Sequence, residues 1–365
     1  MTAPDFPSLH VDDDTDPTSA RRNGVLIFGC GGFARDVRAA AEANGIPVVG
    51  FVVSAGTPGT CDGVPVAPLT GLPAGWTNLP LWIGVFNREA VSDYAAIVDA
   101  CRTAGFATPL LPQQYYATLA ESLGWRYWLA DRRAYAAHHQ ALTGVFAQLD
   151  DTESRTRLAD LLRFRLGQSA TIPNAPDAGA QYFPDFLCAL ATEPIGFVDV
   201  GAYDGDTLES AARHLPLREA WAFEPDADNF PRLAERARHL TPQTTCVPCG
   251  ASSINGTLAF AGGHGEASAL GAGGNTRIQV VRLDDCLPNA RVDYLKLDVE
   301  GHELDALSGA EALIRRHRPL LAIAGYHRWD DLWRIPEWIA GLGLDYRLRL
   351  RIHAHNGFDA VFYAY

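Results

Sequence analysis

The feature that most constrains the fold is a repeated pattern of apolar strand, glycine turn and helix. It occurs in GVLIFGCGGFARDVRAAAEANGIPVVGFVV (24–53) and again in FVDVGAYDGDTLESA (197–211). The apolar run at 25–28 is typical of a strand buried on two faces, and in both segments residues with helical spacing follow the glycines. Strands that alternate with helices predict parallel sheets, so we expect an α/β protein. The length of 365 residues suits about two domains.

The chain divides into four predicted segments. Residues 1–22 include VDDDTDP and are predicted to form a disordered acidic tail. Residues 23–112 are predicted to form a smaller Rossmann-like domain, with strands at 25–28 and 79–85. Residues 113–180 have mostly helical patterns and are predicted to form a helical connector. Residues 181–365 carry the second β/α series and are predicted to form the larger domain.

Within 181–365 the predicted order of elements is specific. Strands are expected at 195–200, 220–224, 244–248, 292–298, 320–325, 345–352 and 359–364, and helices at 206–214, 228–238, 303–316 and 329–341. A hairpin within 255–283 is expected, joined by the glycine-rich AGGHGEASALGAGGN. The last two strands are joined by a short link and are therefore predicted to be antiparallel. A doubly wound parallel sheet that ends in an antiparallel hairpin is the arrangement of class I methyltransferases rather than of dinucleotide dehydrogenases.

Composition excludes several classes of partner. A formal net charge of −13 and a pI of about 5.2 argue against a nucleic acid or an anionic membrane. No apolar run approaches the roughly 18 residues of a membrane span, and the amino terminus lacks the plan of a signal peptide. Seven cysteines without framework spacing fit a reducing cytoplasm. The CVPC run at 246–249 lies in a predicted strand, where positions three apart face opposite sides, so a metal or redox role is disfavoured.

The acidic turn indicates what kind of ligand the larger domain binds. Asp199, Asp204 and Asp206 would repel a polyphosphate and favour a ligand with a cationic end. Glu224 ends the next strand, where a carboxylate accepts hydrogen bonds from ribose hydroxyls. S-adenosylmethionine meets both requirements, although a dinucleotide site also uses an acid at the second position. The alternative is a structural glycine turn whose acids cap a helix.

Four motifs in order carry a family resemblance: FVDVGAYDGDT, AFEPD, YLKLDVEGHELDALSGA and AGYHRWDDLWRIPEWI. Over about 180–365 the chain resembles the FkbM family of S-adenosylmethionine-dependent methyltransferases. The resemblance implies O-methylation of a sugar, polysaccharide or secondary metabolite. A degenerate nucleotide-fold domain in front also resembles one branch of that family.

We predict the donor site from these motifs. It is expected to comprise Asp199, Gly201, Ala202, Tyr203, Asp204, Gly205, Asp206, Thr207, Glu224, Pro225, Gly250, Ala251 and Asp298.

The predicted catalytic residues are His327, Asp298, Glu300 and Lys296. His327 follows the fifth strand and could act as a general base, and a surface loop histidine is the alternative. Lys296 is the one lysine beside 29 arginines, and in a buried strand it should pair with Asp298 or a neighbouring acid. Glu303 is favoured as a helix-start residue rather than a catalytic one. Asp298 and Glu300 could hold a divalent metal with His302 or His327, but no metal is predicted.

Arginines mark the predicted acceptor site. Arg347, Arg349, Arg351, His353 and His355 share one face of a strand. We predict that Arg351 and His353, with His302, bind the acceptor, and that this cationic strip attracts an anionic one such as a sugar nucleotide. A solvated ladder on an edge strand is the alternative.

The amino-terminal GCGGFA gives a weak nucleotide fingerprint. Gly29, Gly31 and Ala34 fit the pattern, but Ser54 stands where a ribose-binding acid is expected. A repurposed nucleotide fold that holds substrate, another nucleotide or a second subunit is therefore favoured, which allows a homo-oligomer. Two other functions stay open: a non-enzymatic sensor of nucleotide and S-adenosylmethionine, and an NAD-dependent oxidoreductase that uses the first domain.

Overall fold

The computed structural model describes residues 4–12, 17–240, 243–261, 269–270 and 276–365. They divide into two compact units, each assembled from several stretches of the chain. Unit 1 comprises Met1–Phe146, Arg155–Pro176 and Ile352–Phe358, and unit 2 comprises Ala147–Ser154, Asp177–Arg351 and Asp359–Tyr365.

Unit 1 is built on a five-stranded sheet in the order β3-β4-β2-β1-β5. The strands are β1 (Val25–Phe28), β2 (Val48–Val53), β3 (Gly59–Cys61), β4 (Val64–Pro68) and β5 (Leu81–Ile83). All neighbours are parallel except the β3–β4 hairpin, which the sequence did not predict. The helices in this part of the chain are α1 (Pro17–Asn23), α2 (Gly32–Ala43), α3 (Tyr94–Thr103), α4 (Pro112–Leu123), α5 (Arg132–Ala137), α6 (His139–Gln148) and α7 (Thr152–Arg165).

The predicted disordered tail is wrong over the residues that the structure describes. Within it, α1 begins at Pro17, and the side chain of Gln168 donates hydrogen bonds to the carbonyl oxygens of Ser8 and His10. The ring of Phe6 packs edge-on against Phe146. These contacts satisfy backbone groups and partly cover an aromatic ring, which a count of acidic residues does not reveal. Residues 1–3 and 13–16 of the tail lie outside the described residues.

Unit 2 is built on a seven-stranded sheet in the order β15-β16-β14-β13-β6-β7-β8. Its strands are β6 (Ile195–Val200), β7 (Leu217–Phe223), β8 (Thr244–Val247), β13 (Tyr294–Leu297), β14 (Leu320–Ala324), β15 (Leu348–Ile352) and β16 (Ala360–Ala364). A second sheet, in the order β11-β10-β12-β9, comprises β9 (Gly250–Ala251), β10 (Gly256–Ala261), β11 (Ala269–Leu270) and β12 (Thr276–Val281). The helices are α8 (Asp185–Cys188), α9 (Asp206–His214), α10 (Phe230–Ala237), α11 (Leu283–Cys286), α12 (Glu303–Gly309), α13 (Glu311–His317) and α14 (Asp331–Gly341).

The predicted fold class is confirmed. The strands β14, β13, β6, β7 and β8 are parallel, and β16 runs antiparallel to β14. Arg347 and Tyr365 exchange both backbone hydrogen bonds, at 2.9 and 3.1 Å, as an antiparallel pair does. The hairpin of β10 and β12 is also as predicted, and most of its glycine-rich connection lies outside the described residues. The single helix predicted at 303–316 is divided into α12 and α13 at Ala310.

No helix among the described residues combines the length and the apolar composition that crossing a bilayer requires.

Candidate active site

The site lies where four parallel strands of unit 2 end. The carboxyl ends of β6, β7, β13 and β14 meet at one edge of the sheet, and each is followed by residues of a predicted motif. Gly201, directly after β6, has a positive φ of 74°, and a Cβ at this position would overlap the carbonyl oxygen of Asp298. Only glycine allows this close approach, which brings the acidic turn against the end of β13.

Lys296 and Asp199 form a buried ion pair beneath the turn. Lys296 Nζ lies 3.0 Å from Asp199 Oδ1 and donates to the carbonyl oxygen of Gly201 at 2.7 Å. Burial raises the pKa of Asp199 to about 6, although the Lys296 ammonium lowers it. Lys296 therefore pairs with a neighbouring acid, as predicted. The predicted contact between Asp199 and the donor stays a prediction, and the structure adds that this carboxylate also anchors the turn through Lys296.

Glu224 ties two loops together at the end of β7. Its Oε2 accepts a hydrogen bond from the backbone N–H of Tyr203 at 2.8 Å, and its Oε1 accepts one from that of Asp226 at 2.9 Å. Glu224 is 5% exposed, and burial raises its pKa to about 7, although these hydrogen bonds lower it. The carboxylate is thus held at the edge where a ribose is expected to bind.

The rest of the predicted donor site is local to this edge. Ala202 N–H donates to the carbonyl oxygen of Phe223, and a Cβ at Gly250 would lie 3.7 Å from Pro225. Ala251 is the second residue of β9.

Two acids of the turn have structural partners. Asp204 forms an ion pair with Arg236 at 2.9 Å and accepts a hydrogen bond from Asp206 N–H, while Asp206 accepts one from Thr207 N–H at 2.6 Å. Gly205, with a φ of 90°, is the cap residue of α9. Asp204 and Asp206 thus have local contacts around the start of α9, whereas Glu224 joins two loops.

A cluster of acids surrounds a buried histidine at the ends of β13 and β14. His327 is fully buried, and its Nδ1 lies 2.8 Å from Glu303 Oε1. Its Nε2 lies 3.3 Å from Asp298 Oδ1 and 3.6 Å from Glu300 Oε2. Burial alone would lower the pKa of His327, but Glu303, Glu300 and Asp298 raise it well above its usual value. The surrounding carboxylates therefore favour the protonated imidazole over the neutral ring.

Sequence reasoning underestimated or missed two residues that position this cluster. Glu303 begins α12, as expected, but it is fully buried and also accepts a hydrogen bond from Val299 N–H at 2.9 Å. The Tyr182 hydroxyl donates to Asp298 Oδ2 at 2.6 Å. The acid-rich motif that contains Glu303 could have indicated its place in the cluster. No sequence pattern could have indicated Tyr182, because this residue precedes β6 in a segment without periodic pattern.

Potential metal ligands come together here as well. Within the described ranges, the group of acid, histidine and cysteine side chains close enough to share an ion is Asp298, Glu303 and His327, whose ligand atoms lie within 4.8 Å of one another. Cys246 and Cys249 are free thiols, and burial raises the pKa of both. Neither cysteine belongs to that group.

The arginines of the predicted cationic acceptor strip have acidic partners, and the acceptor role of Arg351 stays a prediction. Arg351 is 8% exposed and lies 2.9 Å from both Asp151 and Glu153, while Arg347 and Arg349 pair with Asp150. Acids at and just before the start of α7 therefore pair with all three arginines.

The predicted histidines of the acceptor site have other surroundings. His302 Nδ1 lies 3.3 Å from Asp305 Oδ2. His353 and His355 belong to unit 1, where His355 Nδ1 lies 3.3 Å from Asp93 Oδ2. The acceptor-binding roles of His302 and His353 stay predictions.

Comparison with known proteins identifies relatives of this site. The family model described as Methyltransferase FkbM domain matches residues 199–351. Over 100 residues the chain is 31% identical to the hexuronic acid methyltransferase AglP of Haloferax volcanii, a match covering 24% of this chain and 40% of that relative's length. The chain thus spans less than half of the curated relative that it matches.

A solved structure shares the fold. The crystal structure of methyltransferase FkbM from Methylobacillus flagellatus KT aligns over 96% of this chain and 92% of its own, with a TM-score of 0.75 and 22% identity. An rRNA methylase from Streptococcus thermophilus aligns over 49% of this chain and 90% of its own, with a TM-score of 0.32 and 15% identity. The first likeness extends the common fold over both units.

Proposed function

We propose that this chain, whose residues 199–351 match the FkbM methyltransferase domain, transfers a methyl group from S-adenosylmethionine to a hydroxyl oxygen of a sugar, glycan or secondary-metabolite acceptor. The family match supports methyl transfer. The name of the Haloferax relative, a hexuronic acid methyltransferase, supports a sugar as the acceptor.

One observation carries the proposal: the donor turn and the acid–imidazole cluster share one edge of the sheet. The backbone of Gly201 lies against Asp298, so a donor held between Gly201 and Glu224 presents its methyl group close to the cluster. A sulfonium and an ammonium group suit the acidic surroundings of this edge. The ionised carboxylate of Glu224 suits the ribose hydroxyls.

The reaction is a single in-line displacement. The acceptor oxygen attacks the methyl carbon, the new O–CH₃ bond forms as the S–CH₃ bond breaks, and the sulfonium becomes a neutral thioether. The hydroxyl proton passes to the cluster. Its most accessible member is Asp298, whose side chain is 24% exposed, whereas His327 is fully buried and held by Glu303. We therefore assign the first contact with the acceptor to Asp298 and an orienting role to His327. Alignment of the reactants supplies most of the rate enhancement.

The test is transfer of a radioactive methyl group to a panel of sugars, sugar nucleotides and glycans. We expect label in at least one acceptor, and Asp298→Asn should reduce turnover about 10²–10⁴-fold. Asp305→Asn removes a 54% exposed acid seven residues away and should retain turnover. Tight donor binding with no transfer to any acceptor would favour the sensor alternative.

A further inference from the structure

We propose that unit 1 binds one small monovalent anion of the chloride type between Arg165 and Trp128. Arg165 is the last residue of α7 and is 0% exposed. Its Nε and Nη2 are buried and have no hydrogen-bond acceptor among the described residues. An arginine side chain keeps its charge in proteins, so it cannot become neutral to reduce the cost of burial. A fully buried guanidinium in these surroundings therefore requires a further source of negative charge.

The contacts of Arg165 within the described part of the chain compensate only part of its charge. Its Nη1 donates to the Tyr135 hydroxyl at 3.5 Å, which is long for a hydrogen bond. Its Cζ lies 5.4 Å from the centre of the Trp128 ring, and the electron-rich face of the ring attracts the cation. The hydroxyl in turn donates to the carbonyl oxygen of Trp128 at 3.2 Å. All of these partners are neutral, so the positive charge is not balanced.

The two unpaired nitrogens of Arg165 lie on the same edge of the guanidinium group. The N–H of Nε points toward the side on which Nη2 lies, so the two nitrogens form the fork that one anion accepts side-on. Trp128 is 1% exposed, and its Nε1 is also buried without an acceptor among the described residues. Two side chains in contact thus have three donor nitrogens without an acceptor. Buried polar groups in native proteins are nearly always hydrogen-bonded, so this concentration of donors indicates a ligand.

The charge and the enclosure of the site indicate the class of anion. One guanidinium carries one positive charge, so a monovalent anion neutralises it, whereas a divalent anion would bury a negative charge without a partner. Arg165 has no solvent-exposed surface, which favours a compact ion without an organic chain. A spherical halide also accepts N–H groups from several directions at once. Chloride meets all three requirements.

A buried water molecule is the alternative ligand. Water would accept N–H groups of the fork, as buried waters do for other unpaired donors, but it would leave the positive charge uncompensated. An anion supplies an acceptor and a charge together. The two ligands differ in a measurable way, because only an anion makes the stability of the protein depend on which salt is present. The proposal is independent of methyl transfer, whose residues belong to unit 2.

Thermal unfolding of the whole protein in two sodium salts tests the site. Sodium chloride and sodium gluconate at the same concentration of about 0.15 M screen charges equally, but gluconate is too large for a buried site. An anion that binds only the folded protein raises its Tm, and we expect a Tm about 2–4 °C higher in chloride. Equal Tm values in the two salts would overturn the proposal.

Two arginine variants separate this site from a general effect of salt. Arg165→Met removes the cation and keeps most of the side-chain volume, so it should abolish the difference between chloride and gluconate. Arg163→Met is the matched control on the same helix. It removes an arginine whose side chain is 43% exposed and paired with Asp160 at 2.9 Å, and it should retain the difference. A difference of full size in Arg165→Met would refute the site.

A third variant tests the site even if Arg165→Met does not fold. Trp128→Phe keeps an aromatic ring beside the guanidinium and removes one donor N–H, so the chloride concentration that gives half of the Tm rise should increase about 10-fold. Crystals of the unchanged protein soaked in sodium bromide should show an anomalous peak at the Nε–Nη2 edge of Arg165. A folded Trp128→Phe protein with an unchanged chloride dependence, or a water without anomalous signal at that edge, would overturn the proposal.

Discussion

At the scale of single residues, the pair of Lys296 and Asp199 is the feature that sequence reasoning identified best. Lysine is otherwise replaced by arginine throughout the chain, and a charge in a central strand needs a partner. The two side chains are 1% and 0% exposed. Removing one partner leaves the other charge buried without compensation, which usually destabilises a protein by about 3–5 kcal/mol.

Lys296→Met should therefore lower the free energy of unfolding by roughly that amount. Loss of the ammonium raises the pKa of Asp199 further above its unfolded value. The protonated carboxyl is then favoured on folding, so the stability of the variant should fall as pH rises from 5 to 8. Urea denaturation at both pH values measures this. Arg238→Met, which removes a 72% exposed arginine paired with Glu235, is the control, and equal midpoints for the two variants would refute the argument.

Glu224 predicts how donor binding depends on pH. Its folded pKa of about 7 lies above the usual 4.5, so the carboxyl is partly protonated near neutrality. Two ribose hydroxyls donate best to the ionised form, so affinity for S-adenosylmethionine should rise between pH 6 and 8. Glu224→Gln should bind about 10-fold or more weakly, since an unsatisfied buried partner costs about 1–3 kcal/mol, and should show no such rise. Calorimetry between pH 6 and 8 measures the affinity of each protein for S-adenosylmethionine, with Glu219→Gln as the control variant.

The positions of Lys296, Glu224 and Asp298 could be predicted from the sequence, because each residue lies within or directly after an apolar strand at the carboxyl edge of the sheet. The position of Tyr182 could not, because the hydroxyl reaches Asp298 across 116 residues of chain from a segment without period. The helix-start role of Glu303 was also treated as an alternative to a role in the site. A carboxylate at a helix start can cap the helix and hold a histidine at once.

At the scale of elements, the row of arginines along β15 shows what a sequence pattern cannot predict. The alternation of arginine and leucine predicts a strand and the residues that share each of its faces. The partners of the arginines cannot be predicted in this way, because they lie far along the chain. Arg347 and Asp150 are 197 residues apart and joined by two hydrogen bonds of 2.8 Å. The row of arginines, which is cationic in the sequence, is therefore paired with acids in the folded protein.

Arg351→Ala should consequently affect stability rather than acceptor binding. Loss of its pairs with Asp151 and Glu153 should lower the free energy of unfolding by about 2–4 kcal/mol, toward the lower end because both acids are partly exposed. Burial raises the pKa of Asp151, but hydrogen bonds from Arg351 and Ser154 bring it down to about 2, below the usual 3.8. The stabilisation is thus complete above pH 4 and is lost as pH falls toward 2.

Acid unfolding and steady-state kinetics test this together. The unchanged protein should lose stability between pH 4 and 2 more steeply than Arg351→Ala does. The acceptor KM should be the same for both at neutral pH. A raised KM with unchanged stability would restore the acceptor role that the sequence suggested.

At the scale of the whole molecule, the division into units differs from a linear division into domains. The predicted domain of 181–365 omits Ala147–Ser154, which belong to unit 2 and supply Asp150 and Asp151 to β15. Leu149 also forms a parallel bridge with Leu348. Local patterns could not show this, because the segment has the helical character of the connector around it.

A fragment of residues 147–365 should therefore be more stable than one of residues 177–365. The shorter fragment leaves the β15 arginines without their acids and the backbone of Leu348 without its partner. Differential scanning fluorimetry should show a melting temperature lower by several degrees, because a loss of 1 kcal/mol lowers it by about 2–4 °C in a domain of this size. Equal melting temperatures would mean that residues 147–154 add nothing.

The burial of Lys296 also has a practical consequence for measuring the whole fold. Apart from the chain's amino terminus, its ammonium is the only primary amine in the 365 residues, and it is 1% exposed. Acylating reagents and a lysine-specific protease therefore have one internal target, and it is inaccessible until β13 separates from its neighbours. Labelling at this position should proceed at the rate of global opening. A single mass shift then reports the unfolding of unit 2 without an introduced probe.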